Sequence, residues 1–173
     1  MEILDLYDNK KKKIGKVLDR EQGEPSIGEY KLSAHLWIVN SNGQFLIQKR
    51  SQNRKANPNK WAFTGGAIDS GETPEDGAIR EAKEELGIEL DLETLELLIT
   101  FKRESDFVDV WLAKSDVEIE HIKIQEDEVS ESKWVSLKEL NEIIKNGDFV
   151  PAINLYYDLF IKLLVKCHNL KID

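Results

Sequence analysis

The chain has one cysteine, Cys167, so no intrachain disulfide can staple it. It has no uninterrupted apolar run near the roughly 20 residues that a membrane-spanning helix needs. The opening residues, MEILDLYD, lack a basic patch followed by a long apolar stretch, so no secretory leader is expected and the cytoplasm is the expected compartment. Positive charge is the minority sign, with 24 Lys and Arg against 33 Asp and Glu, a net charge of −9 and a pI of about 5.0. That balance excludes general binding to DNA or RNA backbones, which requires a positive field. It leaves room for a nucleotide held by a local basic cluster and a metal. There is no internal repeat and no low-complexity segment. What is present is 173 residues, 40% hydrophobic and 33% charged, enough for one globular domain with a proper core.

The informative stretch is Gly65 to Ile88, GGAIDSGETPEDGAIREAKEELGI. Gly65-Gly66 follows the apolar Trp61-Ala62-Phe63 and reads as a tight loop where a ligand can approach the backbone. Thr73 reads as an N-cap, with Pro74 at the first helical position and Asp76 completing a weak capping box. The helix is expected to stop at Leu86, with Gly87 as the left-handed cap. On a helical wheel Glu81, Glu84 and Glu85 share an arc of about 100°. Ile79, Ala82 and Leu86 are expected on the core side. Like charges so placed repel by about 0.2–0.5 kcal/mol per pair, and a divalent cation removes that repulsion. Oxygen ligands without neighbouring Cys or His favour Mg²⁺ or Mn²⁺ over Zn²⁺. Arg80 is placed to pair with Asp76 and Glu84 and to reach back to Glu72. A solvated acidic face would account for three glutamates alone, but not for the full spacing.

That spacing runs Gly66, five residues, Glu72, seven residues, Arg80-Glu81-Ala82, one residue, Glu84-Glu85, one residue, Gly87-Ile88. It resembles the signature box of the Nudix hydrolase family position for position. The resemblance implies an α+β fold, the Nudix α/β/α sandwich with a mixed sheet. It also implies a loop–helix metal site and hydrolysis of a diphosphate linked to another group, X. By resemblance, Glu81, Glu84 and Glu85 are metal ligands, with the carbonyl of Gly65 or Gly66 as a further one, while Glu72, Arg80 and Gly87 are structural. The general base differs within the family, leaving Glu81, Glu84 and Glu128 as candidates. The substrate is a small-molecule diphosphate, not a polymeric nucleic acid or a membrane, and a homodimer is a family expectation. Pro-Gly-Gly is common in this family where this chain has Thr64-Gly65-Gly66; Thr64 would change loop rigidity or bring a hydroxyl near the metal.

Along the chain, residues 2–7 and 14–18 read as a hairpin turning at Lys10 to Lys13, an edge-protecting, solvated turn. Residues 1–29 are hairpin and linker, 30–165 the core and 166–173 a tail. Leu32–Val39 and Phe45–Lys49 are strands joined at Asn40-Ser41-Asn42-Gly43. His35 is read as packed or substrate-facing rather than a metal ligand. Of the basic cluster, Arg50 is the candidate phosphate contact; Arg54, Lys55 and Lys60 fit a solvated loop at least as well. Leu95–Phe101 alternates, with Leu95, Leu97, Ile99 and Phe101 on one face. The hairpin it forms with Phe107–Leu112 often shapes the substrate pocket in this family, making Lys102, Arg103, Phe107 and Trp111 candidates for contacting X. By offset from Trp134, Glu128 best matches the extra carboxylate many family members carry, with Glu126 second. Ser136 opens a capped helix. After Pro151 a broad apolar helix runs to Cys167, an expected inert buried thiol.

Two other activities remain open. LYDNKKKKIGKV and WIVNSNGQFLIQKR are similar to isopentenyl-diphosphate isomerases, which share the fold. Those enzymes need a cysteine where this chain has Gly65 and a metal-binding histidine where it has Ala67. A non-catalytic ligand-sensing module is the other; such modules usually lose box glutamates, and all are retained here.

Overall fold

The computed structural model describes residues 2–167, with side chains through Leu164. The opening hairpin pairs β1 (Ile3–Tyr7) with β2 (Lys13–Asp19). β1 docks on the core by burying Leu4, Leu6 and Tyr7 and by bridging Leu4 to Asp69 and Tyr7 to Tyr30. The main sheet has seven strands. β3 (Lys31–Val39) lies parallel to β8 (Asp106–Lys114), and β8 pairs antiparallel with β7 (Glu96–Lys102). β3 meets β4 (Phe45–Arg50) only next to the turn, at Ile38–Leu46 and Val39–Phe45. Beyond that point the two strands part. β3 takes β6 (Thr64–Ala67) as its partner from Ser33 to Leu36, while β4 pairs with β5 (Trp61–Ala62) and β9 (Val129–Val135).

Both faces of this sheet are covered, which is why β3 and β8 read as nearly continuous apolar runs. Leu36, Ile38 and Leu46 face α1 (Pro74–Leu86), against Ala78, Ala82 and Leu86. Trp37, Val39 and Ile47 face the other way. They pack with Leu140 of α2 (Leu137–Lys145) and Phe160 and Leu164 of α3 (Tyr157–Cys167). The result is the expected α/β/α sandwich. Thr73 caps α1 through its side chain, Gly87 ends it at φ +66°, and Ser136 forms a full capping box with Glu139.

The structure departs from the sequence reading at several points. Gly65-Gly66 is strand, not loop: it pairs with Ala34 and His35 of β3. The alternation of β7 is broken by a bulge at Leu98, so Leu97 is exposed while Leu98, Ile99 and Phe101 pack inward. The last helix starts late, after a 3₁₀ turn at Pro151–Leu155, and leaves Leu159 exposed. Cys167, read as a buried thiol, lies outside the described side chains.

The lysine turn is not merely solvated. Asp8 Oδ1 accepts from the backbone N–H of Lys10 and Lys12, and Lys11 sits at φ +59°. From there Lys11 Nζ reaches Asp109 Oδ2 at 2.6 Å on the buried strand β8. Asp109 is 1% exposed, and Thr100 is its other partner. Lys11→Met therefore strands a buried carboxylate and should destabilise the fold by about 3 kcal/mol in urea unfolding. Lys11→Met with Asp109→Leu should recover most of that loss. No loss in the single variant would show that the ion pair contributes nothing.

Candidate active site

The site is assembled where β3 and β4 part. Arg80, on α1, is its mechanical centre. Its Nε donates to Glu72 Oε1 at 2.9 Å, and Nη1 donates to both Glu81 and Glu84 at 2.9 Å. Nη2 donates to the Ala67 carbonyl at 2.9 Å, tying the helix to β6. Burial works against the charge, but the ion pairs with Glu72 and Glu81 raise the Arg80 pKa. Asp76, expected to pair with Arg80, instead accepts from the Thr73 hydroxyl at 2.7 Å.

Glu85 does not share an exposed face with its neighbours. It is 3% exposed, on the core side with Ala78 and Ala82, while Ile79 is only half-buried. Its Oε2 accepts from Gln48 Nε2 at 2.8 Å and from the Gly65 N–H at 3.1 Å. The buried Thr64 hydroxyl donates to Gln48 Oε1 at 3.4 Å. Thr64 is thus the third member of a chain ending at Glu85. Burial, with Glu81 nearby, pushes Glu85 up to about 8. Burial also lifts Glu81 to about 7, against the Arg80 pair and helped by Glu84 and Glu128.

Gly65 is required by contact with backbone, while Gly66 leaves room for the Glu81 carboxylate. At Gly65, φ +154°, a Cβ would lie 2.1 Å from the Ala34 carbonyl oxygen. At Gly66 it would lie 2.4 Å from Glu81 Oε1. Only a bare backbone at Gly65 lets β6 lie this close to β3.

These groups line a cavity of about 730 Å³. Arg20, Arg50, Arg54 and Arg103 line it with Glu81, Glu84, Glu85 and Glu128. Phe63, Phe149, Ile153 and Tyr156 line it from the other face of the sheet, with His35. Of the residues singled out from sequence, the structure brings together here Gly65, Gly66, Glu81, Glu84, Glu85, Arg50, Arg103 and Glu128. Glu128 also pairs with Arg54 at 2.8 Å, whereas Glu126 is exposed and off the cavity. Lys102 is a correction: it does not line this cavity but lies 4.0 Å over the Tyr30 ring. Phe107 and Trp111 are core on the α1 face. Sequence reasoning missed Arg20, which arrives from the N-terminal hairpin, and Tyr156, buried within the 3₁₀ turn and final helix. It gave Arg54 no role, and a period-2 reading of β4 could have found Gln48 on the face of Leu46.

Among the described residues, no three His, Cys, Asp or Glu side chains converge as metal ligands as they stand. Arg80 Nη1 lies within 2.9 Å of both Glu81 and Glu84, a cation already set between them. No helix among the described residues is long and apolar enough to cross a membrane.

Comparison with known proteins agrees with the geometry. Residues 29–153 match the NUDIX domain family. An uncharacterized Nudix hydrolase of Listeria monocytogenes is 34% identical over 152 residues, 87% of this chain and 89% of that protein. A crystal structure from Deinococcus radiodurans superposes with a TM-score of 0.72 at 26% identity, covering 96% of this chain and 99% of that one. A bifunctional NMN adenylyltransferase/ADP ribose pyrophosphatase of Francisella tularensis, solved with AMP and a manganese ion, shares the fold. Its TM-score is 0.63 at 22% identity, over 84% of this chain and 43% of that one. The fold is thus that of the Nudix hydrolases. The chain belongs to the Nudix family, hydrolases that act on pyrophosphate bonds.

The raised carboxylates have a consequence for stability. Between its ordinary value of 4.5 and about 8, Glu85 holds a proton in the folded chain that the unfolded chain has released. Metal-free stability should therefore fall as pH rises through that window. Glu85→Gln, neutral throughout, should flatten the fall and exceed wild type at about pH 8 by about 1–2 kcal/mol in urea unfolding with chelator. Identical pH slopes for the two proteins would refute the buried-carboxylate account.

Proposed function

We propose that the protein hydrolyses a small-molecule diphosphate linked to a group X, with Mg²⁺, or Mn²⁺ in its place, as cofactor. The observation that carries this reading is one cavity in which poorly solvated carboxylates face arginines. Such a site suits a divalent cation and a polyphosphate together. The donor set fits the cation. It is all oxygen, and burial and mutual repulsion hold Glu81 and Glu85 well above ordinary carboxylate values. A dication relieves that penalty. Glu81, Glu84 and Glu85 would hold it, with the carbonyl of Gly65 or Gly66 as a further ligand by family resemblance. When bound, it neutralises the diphosphate and lowers the pKa of an attacking water.

The chain's own groups account for the rest. Arg50, Arg54 and Arg20 offer guanidinium donors to phosphate oxygens, and Arg103 offers one to group X. A carboxylate within reach takes the proton of the attacking water, and Glu81, Glu84 and Glu128 are the candidates. Glu128 reaches that role by leaving Arg54, which then becomes free for phosphate. Gln48 and the Gly65 N–H fix the Glu85 carboxylate in one orientation. The acidic surface, with a net charge of −9, supports a small substrate over a nucleic acid polymer.

The test is P–O–P cleavage, read as the phosphate, pyrophosphate or phosphomonoester products, in a panel of nucleoside diphosphates, triphosphates, nucleotide sugars, dinucleotides and prenyl diphosphates, with Mg²⁺ or Mn²⁺. Glu84→Gln and Glu85→Gln should each lower turnover by about 10²-fold or more. Chelation should abolish it. Full activity in either variant would remove that residue from the metal set. Double-bond migration in isopentenyl diphosphate, without hydrolysis, would replace the reading with the isomerase one.

A further inference from the structure

The cavity has a second end, on the sheet face opposite the box helix, where His35 and Tyr156 line it. His35 Nδ1 lies 2.9 Å from the Tyr156 hydroxyl, and the Trp37 indole N–H donates to the same oxygen at 3.3 Å. An indole nitrogen can only donate. Were His35 Nδ1 also to donate, the Tyr156 oxygen would accept twice and its own hydrogen would have no acceptor among the described residues. Tyr156 is 4% exposed, so that arrangement is costly. The hydroxyl therefore donates to Nδ1, and the imidazole hydrogen sits on Nε2. Among the described residues Nε2 has no protein partner, yet it is not sealed from solvent, and His35 lines the cavity.

Arg103 stands at the same end. Its Nε and Nη2 are committed to Asp106, leaving Nη1 without a protein partner. Phe63, Phe149 and Ile153 line the cavity on this face of the sheet. A donor pair set among flat apolar walls suits a planar ring carrying a carbonyl acceptor; an amino group there would meet only other donors.

We propose that His35, with its tautomer fixed by Tyr156 and Trp37, is the specificity-determining donor for a carbonyl-bearing ring on the substrate. This rests on the cavity being the diphosphate site. It selects nucleoside diphosphate derivatives whose base has a ring carbonyl.

The experiment compares uridine diphosphate with ribose 5-diphosphate, which has the phosphates without the ring. Wild type should favour the uridine compound, mainly through KM. His35→Leu should reduce that preference about tenfold or more, the worth of a lost hydrogen bond. His35→Gln, which keeps a donor, should restore part of it, and it also controls for misfolding. Tyr156→Phe should lower the preference less than His35→Leu. Long-range ¹⁵N–¹H spectra should show the Nε2-protonated ring in the resting protein. A preference unchanged in His35→Leu, or an Nδ1-protonated ring, would overturn the proposal. If no compound turns over, the same ratio read calorimetrically as binding to Glu84→Gln separates the two readings. A ratio dependent on His35 upholds this inference without hydrolysis, and binding of neither compound overturns it.

Discussion

One guanidinium holds the site together. Arg80 ties Glu72 in the entering loop, Glu81 and Glu84 on the helix and the Ala67 carbonyl on β6 into one unit. Each carboxylate alone would repel its neighbours, and the helix face would spread. A lysine could satisfy one partner as a point charge, but only the planar fork reaches three elements at once. The loop, the helix and the strand therefore move as one body. Every distance across the cavity, including those from Glu81 and Glu85 to the arginines, depends on that body staying fixed.

The same region shows where stability is given up. Burying Glu85 beneath the helix raises its pKa and works against the metal-free fold, and the Gln48 and Gly65 donors offset only part of that cost. At Asp109 the fold does the reverse: a buried carboxylate receives a full counter-charge from Lys11. The difference is physical. Asp109 has a permanent cation, whereas Glu85 has two neutral donors and no cation within hydrogen-bonding distance. A buried carboxylate with only neutral donors is structurally unfavourable unless something charged arrives, an asymmetry that supports the proposed metal role of Glu85 and gives Asp109 none.

Much of this was legible in the sequence, for local reasons. The caps of α1 and α2, the β3–β4 turn and the spacing of the box depend on residues within a few positions of one another. What failed was long-range. No periodicity says that Lys11 crosses to β8, that Arg20 reaches the cavity from a hairpin, or that Lys102 turns onto Tyr30 while its neighbour Arg103 faces the cavity. The placement of Glu85 is an intermediate case. The wheel does put it only about 20° from Ala78, but chemical expectation grouped it with the exposed glutamates. The β7 bulge is invisible to an alternation rule because the rule assumes an unbroken ladder.

The parting of β3 and β4 gives these details a common cause. A continuous sheet would separate its two faces completely, and groups on α1 could not share a cavity with groups beneath α3. Here β3 takes β6 as its partner, and β6 contributes two residues without side chains where the two faces approach. The carboxylates and most of the arginines thus lie on the box-helix side, while His35, Phe63 and Tyr156 lie on the other. The proposed substrate, charged at one end and flat, apolar and acceptor-bearing at the other, matches that division. The polar half matches what the box requires in any member of the family. The aromatic half is built from β3, β6 and the 149–156 segment, outside the box helix, so selection among diphosphates can change there without disturbing the Arg80 unit.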